Sequence, residues 1–177
     1  MGFLKKLILL AVLLGGGAFL YGRGLPREST ARSSIVVTAR QDSVFRLVRS
    51  IEGYPAWWSD VKAVRPLRGK RRESWEQNMG ADGLVAVEVT QSIPPRKVQL
   101  RVINSEGDAP RAWGGTLTID VLEGSAGTEV RLEEERFVES PFLRIYFKLR
   151  GSHRTVDSYL SSLGAAFGES VTPRHGR

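Results

Sequence analysis

Between Ser140 and Gly168, apolar side chains recur at Phe142, Ile145, Tyr146, Leu149, Val156, Leu160, Leu163 and Phe167, with Arg144, Lys148, Arg154 and Asp157 off that stripe. Residues three and four apart share one side of a helix, so the spacing predicts a long amphipathic helix lying on an apolar surface. Ser140-Pro141 supplies the start, a capping hydroxyl followed by proline at the first helical position, where the missing N–H costs nothing. The segments upstream fix what that surface is. Strand-like runs at Ser33–Thr38, Val61–Leu67, Glu73–Met79, Leu84–Ser92, Lys97–Ile103, Ala112–Val121 and Glu129–Val138 are separated by turn-forming Arg68-Gly69-Lys70, Gly80-Ala81-Asp82-Gly83, Pro94-Pro95, Gly107-Asp108-Ala109-Pro110 and Gly124-Ser125-Ala126-Gly127. After the first strand, Asp42 or Ser43 can cap a short helix bearing Val44, Phe45, Leu47, Val48 and Ile51, and Gly53-Tyr54-Pro55-Ala56-Trp57-Trp58 ends it. The fold class is α+β: a curved antiparallel sheet of about seven strands wrapped around one long C-terminal helix.

A second constraint stands at the other end. Lys5-Lys6 precedes an unbroken apolar run from Leu7 to Tyr21, the pattern of an export signal or an N-terminal membrane anchor. Fifteen residues is short of the roughly 20 needed to cross a bilayer, but Phe3-Leu4 extends the run if the lysines snorkel. Gly16-x-Ala18 has signal-peptidase spacing, whereas Phe19, Tyr21 and Arg23 suit the interfacial end of a retained anchor. The resulting division is a signal-anchor over residues 1–22, a polar linker over 23–34, a domain over 35–170 and a basic tail over 171–177. The reading is a single-pass N-terminal anchor with the soluble domain periplasmic or otherwise extracytoplasmic.

The formal charge of +7 sits outside that domain. Residues 35–170 hold 19 Lys and Arg against 18 Asp and Glu, which leaves +1; the excess lies at Lys5, Lys6, Arg23, Arg27, Arg32, Arg174 and Arg177. A near-neutral domain with basic flanks fits a membrane-proximal protein and not a nucleic-acid binder. The local exception is Lys62, Arg65, Arg68, Lys70, Arg71 and Arg72, six bases with no acid among them: a solvated hairpin, or a contact for anionic headgroups at about 1 kcal/mol per well-placed base. The chain has no cysteine, which excludes disulfides and thiolate chemistry. Its two histidines, His153 and His175, give no metal-ligand set, and no cofactor motif is present.

Asp42-Ser43-Val44-Phe45 through Tyr54-Pro55-Ala56-Trp57-Trp58, then Val87 to Val98, then Gly127-Thr128-Glu129-Val130, resemble the SRPBCC superfamily, the START-related helix-grip proteins, in its polyketide cyclase/dehydrase and lipid-transport-like branch. The resemblance spans residues 35–168, and a short membrane-spanning leader before such a domain also occurs in bacterial members. It implies a sheet gripping the C-terminal helix around an apolar cavity, and it leaves the ligand and any chemistry open.

Period-two alternation places Ile35 and Val37, Val85, Val87 and Val89, Val98, Leu100 and Val102, and Trp113, Leu117, Ile119 and Val121 on one face. By alternation alone these could fill a solid core; with the resemblance, the expected cavity set is Trp75, Val87, Val89, Leu100, Trp113, Leu117, Glu134, Tyr146, Leu149 and His153. Glu134 is in phase with Val130 and Leu132, so it needs a partner such as Arg136, unless a bulge turns both outward and puts Phe137 inside. His153 could donate to a ligand head group, a satisfied core histidine being the plainer reading. Trp57 and Trp58 are expected to anchor the short helices, one of them reaching the cavity mouth. The functional expectation is binding, and possible transport, of a lipid or isoprenoid-like compound without chemistry; the alternatives are a cyclase/dehydrase-type enzyme or a filled-core interaction module.

Overall fold

In the computed structural model, which describes residues 2–104 and 112–176, helix α1 (Gly2–Gly24) leads into an eight-stranded antiparallel sheet with two short helices inserted after its first strand. The strands are β1 (Glu28–Val37), β2 (Ala63–Pro66), β3 (Ser74–Asn78), β4 (Leu84–Ile93), β5 (Lys97–Ile103), β6 (Trp113–Gly124), β7 (Gly127–Val138) and β8 (Arg174–His175), in spatial order β2-β3-β4-β5-β6-β7-β1-β8. The helices after α1 are α2 (Gln41–Arg49), α3 (Tyr54–Trp57), α4 (Pro141–Arg150) and α5 (Arg154–Ala166). The turn at residues 107–110 lies outside the described residues. The α+β class and the curved sheet under a C-terminal helical segment stand.

That segment is two helices rather than one. Gly151 sits at φ +90°, a conformation glycine adopts without a side-chain penalty, and it ends α4; α5 restarts three residues later. The apolar stripe continues across the break, which is why periodicity alone reads it as continuous. At the start, Ser140 Oγ accepts from the Leu143 N–H at 3.5 Å, so the expected cap forms. Helix α2 begins at Gln41 with no side-chain cap; Gln41 Nε2 instead donates to Val121 O at 2.8 Å, tying the helix to the sheet.

Two boundaries move. Residues 28–32, read as linker, form the first half of β1, which pairs with β7 from Glu28↔Phe137 to Val37↔Thr128. Ala31 and Ser33 take the inward positions and are too small or too polar to advertise a strand, while Arg32 pairs outside with Glu133 at 2.6 Å. The basic tail is also tied down: β8 pairs with the free edge of β1, His175 Nε2 lies 2.9 Å from Asp157 Oδ2, and its ring stacks on His153 at 4.0 Å. This gives the sheet its eighth strand.

The inward face of the sheet is the predicted one, with Ile35, Val37, Val98, Leu100, Ile119, Val121, Val130 and Leu132 buried. Helix α5 lays Val156, Tyr159, Leu160 and Leu163 on it with no exposure, and α2 adds Val44, Phe45 and Val48. Tyr54, Trp57, Trp58 and Tyr159 meet edge to face at centroid distances from 4.8 to 6.0 Å. Each fully buried large side chain contributes about 1.5–3 kcal/mol. Under α4 the same face is not filled.

Helix α1 is 23 residues, exposed along its apolar length, and long and apolar enough to cross a membrane, as a single-pass anchor or a signal sequence would be. Its last turn packs on α4. Gly22 lies where a Cβ would stand 2.2 Å from Pro141 O, so only glycine permits the contact. Arg144, 6% exposed, donates to Val138 O at 2.9 Å and Glu139 O at 2.8 Å, and to Gly22 O and Leu25 O at 3.4 Å each. One guanidinium thereby joins α1, α4 and the sheet.

Candidate functional site

The unfilled region is a cavity of about 420 Å³ between the sheet and α4. Its floor is built by alternate residues of four strands: Val85 and Val87 of β4, Leu100 and Val102 of β5, Trp113 and Leu117 of β6, and Glu134 and Arg136 of β7. Leu143, Tyr146, Phe147 and Arg150 of α4 form the roof, one helical side at spacings of three and four. Trp58, Gln77 and Met79 line the β3 end, and the exposed Ala81, Asp82, Gly151 and Arg154 mark a rim.

Two ion pairs shape it. Arg136, 8% exposed, donates to Glu134 Oε1 from Nε at 3.2 Å and Nη2 at 2.5 Å, and its guanidinium lies 4.4 Å over the Phe147 ring. The bulge alternative does not occur, because the β6–β7 register runs unbroken from Trp113↔Val138 to Gly124↔Gly127 and leaves Phe137 outside. At the rim, Arg150 grips both carboxylate oxygens of Asp82, and Tyr146 Oη donates to Asp82 Oδ1 at 3.1 Å. The Arg150 hydrogen bond, foremost, holds the Asp82 carboxyl below the usual carboxylate range, and Asp82 raises Arg150 in return. This latch connects the β3–β4 turn to the end of α4.

Three buried polar atoms on the wall have no hydrogen-bond partner: Glu134 Oε2, Gln77 Nε2 and Trp58 Nε1. Unpaired buried polar atoms cost free energy, so a ligand that met them would recover it. The charged lining residues, Asp82, Glu134 and Glu135 against Arg136, Arg150 and Arg154, cancel formally. Among the described residues no group of three or more His, Asp or Glu is placed to hold a metal ion.

Of the expected cavity set, Val87, Leu100, Trp113, Leu117, Glu134 and Tyr146 come together on the wall. Trp75, Val89, Leu149 and His153 do not. Trp75 and Val89 share the inner face but pack into the filled core, and Trp75 Nε1 donates at 2.9 Å to Glu73, which is gripped by Arg49 of α2. Leu149 points outward at 83% exposure. The break at Gly151 removes His153 from the roof and leaves it as the residue before α5, stacked on His175. Gln77, Phe147 and Arg150 join the wall without having been singled out; Gln77 follows Trp75 by two on the inner face, a signal alternation carried. Trp58 does both jobs expected of the tryptophan pair, since it packs on Tyr54 and Tyr159 and also lines the cavity.

The basic run divides. Lys62 Nζ donates to Ser59 O at 2.7 Å and Arg65 pairs with Glu76 at 2.6 Å, while Arg68, Lys70, Arg71 and Arg72 occupy the β2–β3 turn.

No protein-family profile matches the sequence, and no curated protein matches it. Solved structures do. The aromatase/cyclase ZhuI of Streptomyces sp. R1128 is 15% identical, with a TM-score of 0.63 over 79% of this chain and 94% of that one. A START superfamily protein of Mycobacterium smegmatis is 11% identical, with a TM-score of 0.56 over 77% and 95%. The di-domain aromatase/cyclase StfQ of steffimycin biosynthesis is 13% identical, with a TM-score of 0.61 over 81% of this chain, which spans about half (51%) of that protein. At these identities the likeness is one of fold.

Proposed function

We propose, from the START-like helix-grip fold this chain adopts, that it binds a hydrophobic small molecule of lipid or isoprenoid-like kind between the sheet and α4, while α1 holds it at a membrane. The observation that carries this reading is a cavity of about 420 Å³ with aliphatic and aromatic walls and a few polar atoms, the size and character of small-molecule sites generally. Glu134 Oε2, Gln77 Nε2 and Trp58 Nε1 would orient a ligand that carries a hydroxyl or carbonyl on an apolar frame. With Lys5-Lys6 on the cytoplasmic side, the domain is extracytoplasmic. A polarity-sensitive fluorescent fatty acid titrated into the full chain in nanodiscs tests the binding: saturable one-to-one enhancement is expected, and Leu117→Trp, which puts an indole into the cavity, weakens it severalfold. Equal signal from wild type and variant would refute the site.

The competing reading is an enzyme of the cyclase type, favoured by the two aromatase/cyclase neighbours and by the free Glu134 oxygen in the cavity. His153, off the wall, drops out as its acid or base. A carrier keeps probe affinity and has no turnover to lose on Glu134→Gln, whereas an enzyme loses turnover and keeps binding.

A further inference from the structure

Helix α4 has a side turned away from the cavity, bordered by Tyr146 of the roof. Phe142, Tyr146 and Leu149, spaced i, i+4, i+7, are 53%, 45% and 83% exposed. The helix carries Arg144, Lys148 and Arg150 and no acid. Arg144 is buried and Arg150 is held by Asp82, which leaves an apolar side bordered by the exposed Lys148, a composition suited to a helix that lies in a membrane interface.

What covers this side follows from α1. Its 23 residues span about 35 Å at 1.5 Å each, against a hydrocarbon core of about 30 Å. With the apolar run in the bilayer, Tyr21 to Gly24 lie at headgroup level. Helix α4 is fastened to that end with no spacer: Phe19 and Phe142 meet at 6.1 Å, Lys148 Nζ reaches Tyr21 Oη at 2.8 Å, and Arg144 bonds the Gly22 and Leu25 carbonyls.

We infer that the outer side of α4 is a bilayer contact, seated in the interface of the membrane that α1 enters. Phe142 and Leu149 reach the acyl boundary, Lys148 meets phosphates, and the cavity rim at Tyr146 and Gly151 opens onto lipid instead of bulk water. This rests on the tether proposed above. It also decides between two candidate surfaces. The basic β2–β3 turn lies beyond the Ser74 end of β3, whereas the β3–β4 turn that α4 clamps through Asp82 lies beyond the Asn78 end. A bilayer seated on the basic turn would leave Leu149 in water.

Because the chain has no cysteine, single thiols report position without background. Leu149→Cys, Lys70→Cys and Leu10→Cys, each in the full chain and spin-labelled, are reconstituted in phosphatidylethanolamine/phosphatidylglycerol vesicles and probed by collision with oxygen and with a water-soluble nickel chelate. Residue 149 is exposed and residue 70 is a half-buried position in a surface turn, so the labels leave the core intact. The expected result is a severalfold higher oxygen-to-nickel ratio at 149 than at 70, with 10 deepest. A nickel-accessible 149 with a buried 10 overturns the α4 contact and spares the tether. A nickel-accessible 10 overturns the tether itself. A buried 70 with an aqueous 149 assigns the membrane contact to the basic turn and likewise overturns the inference.

Discussion

Helices α4 and α5 are consecutive, lie against one sheet and differ in what they do to it. Under α5, Val121, Val130, Leu132 and Ile119 meet Val156, Tyr159, Leu160 and Leu163, and these residues are at 0 or 1% exposure. Under α4, the same strands present Leu117, Trp113, Glu134 and Arg136, and the helix answers with Phe147 and Leu143 at a distance that leaves about 420 Å³ open. The difference teaches that a strand of alternating inward residues can serve stability for half its length and function for the other half. The change comes where β7 passes from Leu132 to Glu134.

The largest effect that separates the two halves is a truncation. Leu163→Ala should cost about 4 kcal/mol by leaving a void in packed core, while Leu143→Ala, facing space already open, should cost under about 1 kcal/mol; denaturant titration of both variants measures the contrast. Next is Arg136→Met, which strands a largely buried carboxylate and should cost about 3 kcal/mol. The double variant Glu134→Leu/Arg136→Met should recover most of that, and failure to recover would mean that the pair holds the β7 geometry and not only its own charge.

Much of this contrast was legible in the chain. The period-two pattern from Val85 to Val121 placed the inward side chains correctly, because antiparallel strands with one covered face have no other way to satisfy it. The phase of Glu134 with Val130 and Leu132 marked the polar point on the wall. What stayed hidden depended on backbone events that no periodicity records. The α4 stripe at Phe142 and Leu149 turns away from the sheet, which puts Leu149 outside, and the break at Gly151 takes His153 off the roof. Ala31 and Ser33 are buried by pairing with β7, not by their own hydrophobicity. Trp75 and Val89 share the inner face as expected and miss the cavity because they pack against the filled core.

Two smaller effects sharpen the comparison. Tyr159 Oη is fully buried in the filled half near the Tyr54 hydroxyl, and burial, foremost, pushes its pKa up; Tyr159→Phe should change stability by no more than about 1 kcal/mol, read as the shift in Tm. In the open half, Asp82 titrates below an ordinary aspartate, so the latch to Arg150 adds stability above the unfolded pKa of about 3.9 and loses it as pH falls through the lower folded value. Acidification through that window should raise the mobility of a spin label at position 149 before the α5 core melts, and Asp82→Asn should remove the pH dependence.

The most direct measurement of the central claim, that the α4 half is a ligand cavity, is mass spectrometry of the full chain released from membranes under native conditions. Wild-type protein should carry one apolar small molecule and Leu117→Trp much less of it, with both folded by circular dichroism. Bare protein in both cases, or the same amount of adduct on both, would contradict that claim.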